Sequence, residues 1–290
     1  MLRTSPEQFE ALARQGNHIP VVREVMADLE TPLSLFRKID DAKTAFLLES
    51  VQGGEKWARY SFLGVGARAI FRAFGSRVEW VENGQTEVLE AAGDPLEVLR
   101  DRMRAYHAVQ PTELALPRFI GGAVGMIGYD WVRFVETIPD ANPDKVGLPD
   151  AFFVLPEYVV VYDNVRHTAL IAVHAEVSEG SDPASAYAEA MLRIDAMLER
   201  IRKPLEAEPR MPSIRTPMEV ERSMSESHFH DIVKRAKEYI EAGDIFQVVL
   251  AQQFRMPLQV EPFSIYRHLR SINPVLIVNI FVSKAQATRL

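Results

Sequence analysis

The apolar positions of this chain change period several times, and each change marks an element. Ser5-Pro6-Glu7-Gln8 has the pattern of a capping box with proline at the first helical position, and Gly16 is placed to close that helix. Pro20 to Ala27 reads as extended. Thr31-Pro32 opens a short helix with Leu33, Phe36 and Ile39 on its inner side. From Leu47 to Gly64 (LLESVQGGEKWARYSFLG) the period becomes two: Phe46, Leu48 and Ser50 share one face, and Leu47, Glu49 and Val51 the other. Gln52-Gly53-Gly54-Glu55 supplies the turn, and Trp57 to Leu63 returns in the same alternation. Arg68–Phe74, Arg77–Val81 and Gln85–Leu89 follow as a meander, separated by Gly75-Ser76 and by Asn83-Gly84, a strong hairpin signal.

The period then lengthens. Asp94-Pro95 starts a helix whose stripe is Leu96, Leu99, Met103 and Tyr106. Phe152–Tyr162 and Thr168–Val177 read as one hairpin turning at Asp163-Asn164. Asp182-Pro183 begins a helix reaching about Ile201. Residues 203–217 (KPLEAEPRMPSIRTP) are proline-rich and aperiodic, and divide the chain into residues 1–202, a linker 203–217 and residues 218–290. Beyond the linker, Ser225 or Ser227 caps a helix that Gly243 ends. Ile245–Phe254 alternates as a strand, Pro262–Ser271 is helical and Val275–Val282 is strand-like. These elements predict an α+β protein rich in antiparallel sheet.

Composition narrows the function classes. A hydrophobic fraction of 47% and a charged fraction of 25% belong to an ordinary globular protein. A net charge of −7 with no basic run argues against nucleic acid. The chain has no cysteine, which removes disulfides, thiolate metal sites and thiol nucleophiles. Neither a secretory leader nor an apolar run long enough for a membrane span is read, so a cytoplasmic protein is expected.

Candidate chemistry is sparse. The glycines of Arg118–Glu136 (RFIGGAVGMIGYDWVRFVE) lack the order of a dinucleotide or phosphate loop, and are read as sites of close backbone packing. His228 and His230 are two apart on a helix, so their side chains diverge, whereas a helical zinc pair needs four. No nucleophile elbow occurs. No carboxylate pair stands alone in an apolar frame. The end of the first alternating strand, with the Ser50 hydroxyl on one face and the Glu49 carboxylate on the other, is either a small-ligand seat or a hairpin end of ordinary surface polarity.

The motifs themselves go further. Leu47-Leu48-Glu49-Ser50, followed by Gly53-Gly54-Glu55-Lys56-Trp57-Ala58-Arg59-Tyr60-Ser61-Phe62-Leu63-Gly64, closely resembles the N-terminal signature of anthranilate synthase component I. Ile19-Pro20-Val21, Ala27-Asp28-Leu29-Glu30-Thr31-Pro32, Gly121-Gly122-Ala123-Val124-Gly125 and Gly128-Tyr129-Asp130 resemble the same family. So does Ala242-Gly243-Asp244-Ile245-Phe246-Gln247-Val248-Val249-Leu250, which looks like the entry into a chorismate-binding domain.

The resemblance implies a two-layer α/β sandwich that converts chorismate to anthranilate with Mg²⁺, using ammonia from a glutamine amidotransferase subunit. It implies a regulatory, tryptophan-binding domain over 1–202 and the start of a chorismate-binding domain over 218–290. Ser50 and Glu49, with Asn273 and Pro274, are its implied effector residues. After Pro274 the family's Ser-Pro-Tyr-Met-like continuation is replaced by Val275-Leu276-Ile277-Val278, as a frameshift or premature stop would leave it, with a divergent pseudo-enzyme and an incomplete gene model as the alternatives. Catalytic and Mg²⁺-ligating residues are therefore expected to be absent from this chain, which is expected to be inactive alone. Two rivals stay open: aminodeoxychorismate synthase component I, and a non-catalytic module that binds tryptophan or a partner.

Overall fold

The computed structural model of the chain describes residues 1–41, 43–49, 59–140, 143–144, 146–206, 219–272 and the backbone of 278–283. It divides into two compact units, Met1–Glu206 with Ile272–Leu290, and Ala207–Ser271.

The first unit opens with helix α1 (Pro6–Ala13), whose capping box forms as the sequence predicts: Ser5 Oγ accepts from Gln8 N–H and Gln8 Oε1 accepts from Ser5 N–H. The helix ends at Ala13 with Arg14 as its cap. Gly16 plays a different part from the expected one. A Cβ there would lie 2.1 Å from the carbonyl oxygen of His107, so glycine permits a close backbone approach.

Strands β1 (His18–Met26), β2 (Thr44–Glu49), β3 (Tyr60–Val65), β9 (Tyr158–Asp163), β10 (Thr168–Glu176) and β13 (Val278–Ser283) make an antiparallel sheet in the order β1-β10-β9-β3-β2-β13. On one face Val22, Val159, Val161, Leu170 and Ala172 pack under Phe62, Leu116, Phe119 and Ile120. The alternate residues Val21, Val160, Ile171 and Val173 point the other way and are fully buried. That face carries α1, α2 (Pro32–Ile39) and α4 (Pro183–Arg202). The inner residues of α2 are Leu35, Phe36 and Ile39, with Leu33 only half-buried.

Burial on both faces explains a departure in β2. Alternation leaves Glu49 a surface option, but the strand lies between β3 and β13 and Glu49 is 4% exposed. Gly64 belongs to the same packing, because a Cβ on it would meet the Phe46 ring at 2.1 Å. β13 pairs with β2 from Val278 opposite Glu49 to Ser283 opposite Thr44. Residues 278–283 thus join the first unit's sheet, whereas the sequence division placed them with 218–271. An open strand edge satisfies its backbone groups by taking such a neighbour.

A second sheet, β6-β5-β4-β8-β7, is built from β4 (Ala69–Phe74), β5 (Arg77–Glu82), β6 (Gln85–Glu90), β7 (Val124–Ile127) and β8 (Ala151–Leu155). The expected meander is present, and its Asn83-Gly84 turn has positive φ at both residues, as a tight hairpin requires. Phe71, Val78, Trp80, Leu99 and Trp131 form its core with helix α3 (Leu96–Ala105). The expected hairpin 152–177 is split. Pro156-Glu157 ends β8 in this sheet before β9 enters the other, because proline gives no N–H to a continuing ladder. Only β9 and β10 form the hairpin.

In the second unit, α5 (Glu226–Ala242) starts at Ser225, whose Oγ accepts from His228 N–H, and ends at Gly243 in the left-handed region. β11 (Glu221–Arg222) pairs with β12 (Phe254–Arg255), and α6 (Pro262–Ile272) follows. Ile245–Gln253 is not a strand: Phe246 is 95% and Val249 83% exposed. A ladder needs a neighbour, and among the described residues only Phe254-Arg255 finds one.

Candidate functional site

Glu49 is the one sequence-predicted site residue among the described residues; Ser50, Asn273 and Pro274 lie outside them. It ends β2 at the same end of the sheet as Ser61, which is 2% exposed. A polar clamp holds this end. Asp163 Oδ2 accepts from Arg59 Nε at 3.1 Å and Nη2 at 2.8 Å, and Oδ1 accepts from the backbone N–H of Val165 and Arg166. Asn164 Nδ2 donates to Arg59 O and Ser61 Oγ. Burial opposes the charge on Asp163, but these donors outweigh it and hold its carboxyl below the usual carboxylate range. The clamp fixes where β3 begins, and hence the β2–β3 pair.

At the opposite end of the first unit lies a cavity of about 420 Å³, within the range of small-molecule sites. Four distant segments bring its polar groups together: His18 from β1, Arg68 between β3 and β4, Tyr106 after α3, and His174 from β10. Its apolar wall includes Met103, Leu116 and Ile120.

His18 is 4% exposed. Asn17 Nδ2 donates to Ala105 O, which turns Asn17 Oδ1 toward His18 Nδ1 at 2.9 Å. Nδ1 therefore carries the proton, and Nε2 is a buried lone pair with no partner among the described residues. The imidazole meets the Tyr106 ring edge-on, centroids 4.6 Å apart. Tyr106 donates through its hydroxyl to Glu82 Oε1 at 2.6 Å, and Trp80 Nε1 donates to Glu82 Oε2. Burial, then the bond to Glu82, pushes the Tyr106 hydroxyl well up.

Arg68 donates through Nη2 to His174 O at 2.7 Å, and no ion pair holds it among the described residues. Burial, then Arg193, lowers its pKa. Burial, with Arg68 next, lowers both His18 and His174 to about 4, so both rings are neutral at pH 7. Gly121 seats the His174 ring: a Cβ there would lie 2.2 Å from Cε1. Gly125 lies equally close to the backbone of β8, so close packing explains both glycines.

Nothing in the sequence pattern marks this cavity. His18 and His174 sit in apolar runs buried on both faces, where alternation cannot show which side chain faces a space. Among the described residues no group of three or more His, Asp or Glu could hold a metal ion, so the Mg²⁺ implied by the resemblance finds no ligand set there. No helix among them is long and apolar enough to cross a membrane.

Residues 44–286 match the family model of chorismate binding enzymes, and the chain belongs to that family. Anthranilate synthase component 1 of Pseudomonas aeruginosa is 38% identical over 283 residues, covering 92% of this chain and 54% of that protein. The component 1 of Acetivibrio thermocellus is 36% identical over 273 residues, with the same coverage. The crystal structure of anthranilate synthase component I from Streptococcus pneumoniae superposes with a TM-score of 0.58 at 26% identity, over 77% of this chain and 49% of that one. The α+β architecture read from the sequence is thus the relatives' architecture. The chain spans about half the length of the curated relatives it matches.

Proposed function

We propose that this chain supplies the regulatory portion of a cytoplasmic anthranilate synthase large subunit. The complete enzyme would convert chorismate and ammonia to anthranilate and pyruvate in tryptophan biosynthesis, with Mg²⁺, and with ammonia delivered by a glutamine amidotransferase subunit. The observation that carries this reading is alignment of 92% of the chain with a component 1 relative at 38% identity. The β2 strand with its buried Glu49 is consistent with half of a tryptophan effector site, in which Glu49 and Ser50 would act with Asn273 and Pro274. A buried carboxylate at a strand end is suited to an ammonium group such as tryptophan's.

The 290-residue polypeptide alone is proposed to be inactive. Ile245–Gln253 is without strand neighbours among the described residues, and no described cluster suits Mg²⁺. The test is anthranilate fluorescence with chorismate, Mg²⁺ and ammonium. This chain up to Ile272, continued by the corresponding remainder of the Pseudomonas aeruginosa relative, is expected to form anthranilate and to be inhibited by tryptophan. The 290-residue chain is expected to form none. Aminodeoxychorismate as the product of the folded fusion would favour the rival synthase. Anthranilate from the short chain would refute the division of labour.

A further inference from the structure

We propose that the cavity between His18, Arg68 and His174 binds a small monocarboxylate with an apolar body, its carboxylate on Arg68. The site is separate from the proposed effector half-site, and the inference does not rest on the catalytic reading. Leu48 of β2 is in register with Phe62, Val161 and, on β10, Leu170. His174 lies four residues past Leu170, in the direction away from Glu49. Three strand spacings across and four residues along give roughly 20 Å between that row's start and His174.

The lining selects the ligand's charge. It includes two guanidiniums, Arg68 and Arg118, and no Asp or Glu. The carboxylates that act on Arg68 at longer range, Glu82, Glu157 and Glu176, stand outside the lining. Arg68 commits one donor to His174 O, and its planar fork retains others for a carboxylate. Both histidines are neutral at pH 7, so the cation is the arginine.

His18 adds bulk rather than a polar anchor. Its Nδ1–H is committed to Asn17, and Nε2 is enclosed by protein with no hydrogen-bond partner among the described residues. The Tyr106 ring and the apolar wall of Met103, Leu116 and Ile120 suit a compact hydrocarbon body.

The test is calorimetric titration of the full chain at pH 7 with 3- and 4-hydroxybenzoate, benzoate and methyl 4-hydroxybenzoate. Benzoate and at least one hydroxybenzoate are expected to bind saturably, with the uncharged ester weaker by tenfold or more. Arg68→Gln is expected to weaken the acid roughly 10- to 100-fold, the loss of a charge-assisted bond. Arg68→Gln also loses the bond to His174 O; if it does not fold, the comparison of acid and ester on the unaltered chain decides. Absence of binding by both hydroxybenzoates at about 10 mM, a limit corresponding to negligible affinity, would overturn the proposal. So would equal binding of acid and ester, or unchanged affinity in a folded Arg68→Gln variant.

Discussion

Asp163→Ala removes the centre of the clamp that sets the start of β3, and its cost can be worked from the geometry. The Asp163 side chain is 7% exposed and accepts four hydrogen bonds, two from Arg59 and two from backbone N–H groups of the turn into β10. The two backbone bonds contribute about 1 kcal/mol each. Arg59 is 40% exposed and regains water when its partner leaves, so the ion pair is discounted to about 1 kcal/mol. The sum is about 3 kcal/mol, a fall of roughly 6–12 °C in Tm for a unit of this size. Urea unfolding followed by the fluorescence of Trp80 and Trp131, both in this unit, measures it. The pH dependence supplies the sign. The folded-state pKa lies below the unfolded value of about 3.9. The stabilisation is therefore fully present above about pH 4 and is lost as pH falls through the depressed folded value. The difference between the natural chain and the variant should be full at pH 7 and shrink below pH 4. A loss under about 1 kcal/mol at pH 7, where two buried backbone bonds alone predict more, would refute the account of the clamp. So would a difference that persists unchanged in acid.

Gly64→Ala places a methyl against the fully buried Phe46 ring and should cost about 1–3 kcal/mol in urea unfolding, while Gly93→Ala, with nothing within 4 Å, should change stability by less than about 1 kcal/mol. Ser225→Ala removes the N-cap acceptor of α5 and should destabilise that helix by about 1 kcal/mol, seen as faster amide exchange over its first turn. His18 and His174 should remain neutral at pH 5 in histidine-labelled NMR spectra. Because their folded pKa of about 4 lies below the unfolded 6.5, stability should decline as pH falls from about 6.5 toward 4, as the unfolded chain takes up the protons first. A folded-state midpoint near 6.5 for either ring would contradict the burial that depresses it.

The parts of the fold legible in the sequence are those fixed by neighbours along the chain. The capping box at Ser5, the helix start at Thr31, the Asn83-Gly84 turn and the Ser225 and Gly243 caps are local hydrogen-bond or φ requirements, and each stands where its residues predict. What was not legible depends on partners distant in sequence. Glu49 is buried in a strand that takes β3 on one edge and β13 on the other, pairings that no alternation over Phe46–Val51 contains. The segment 152–177 divides between two sheets because each strand chooses its own ladder once Pro156 breaks the run.

Ile245–Gln253 and the His18–Arg68 cavity are two outcomes of one rule. An alternating segment becomes a strand only where a neighbour satisfies its backbone, so Ile245–Gln253 keeps the pattern of a strand without the ladder. A polar side chain in a doubly buried strand likewise becomes structural or functional according to what faces it. His174 accepts from Arg68 through its carbonyl, and its ring sits against Gly121. His18 has one nitrogen fixed by Asn17 and the other enclosed by protein, with no hydrogen-bond partner among the described residues. The two histidines share a depressed pKa, so that property does not mark the ligand's anchor. Arg68 does: a guanidinium at the cavity without an ion-pair partner among the described residues is where the chemistry of a ligand is written.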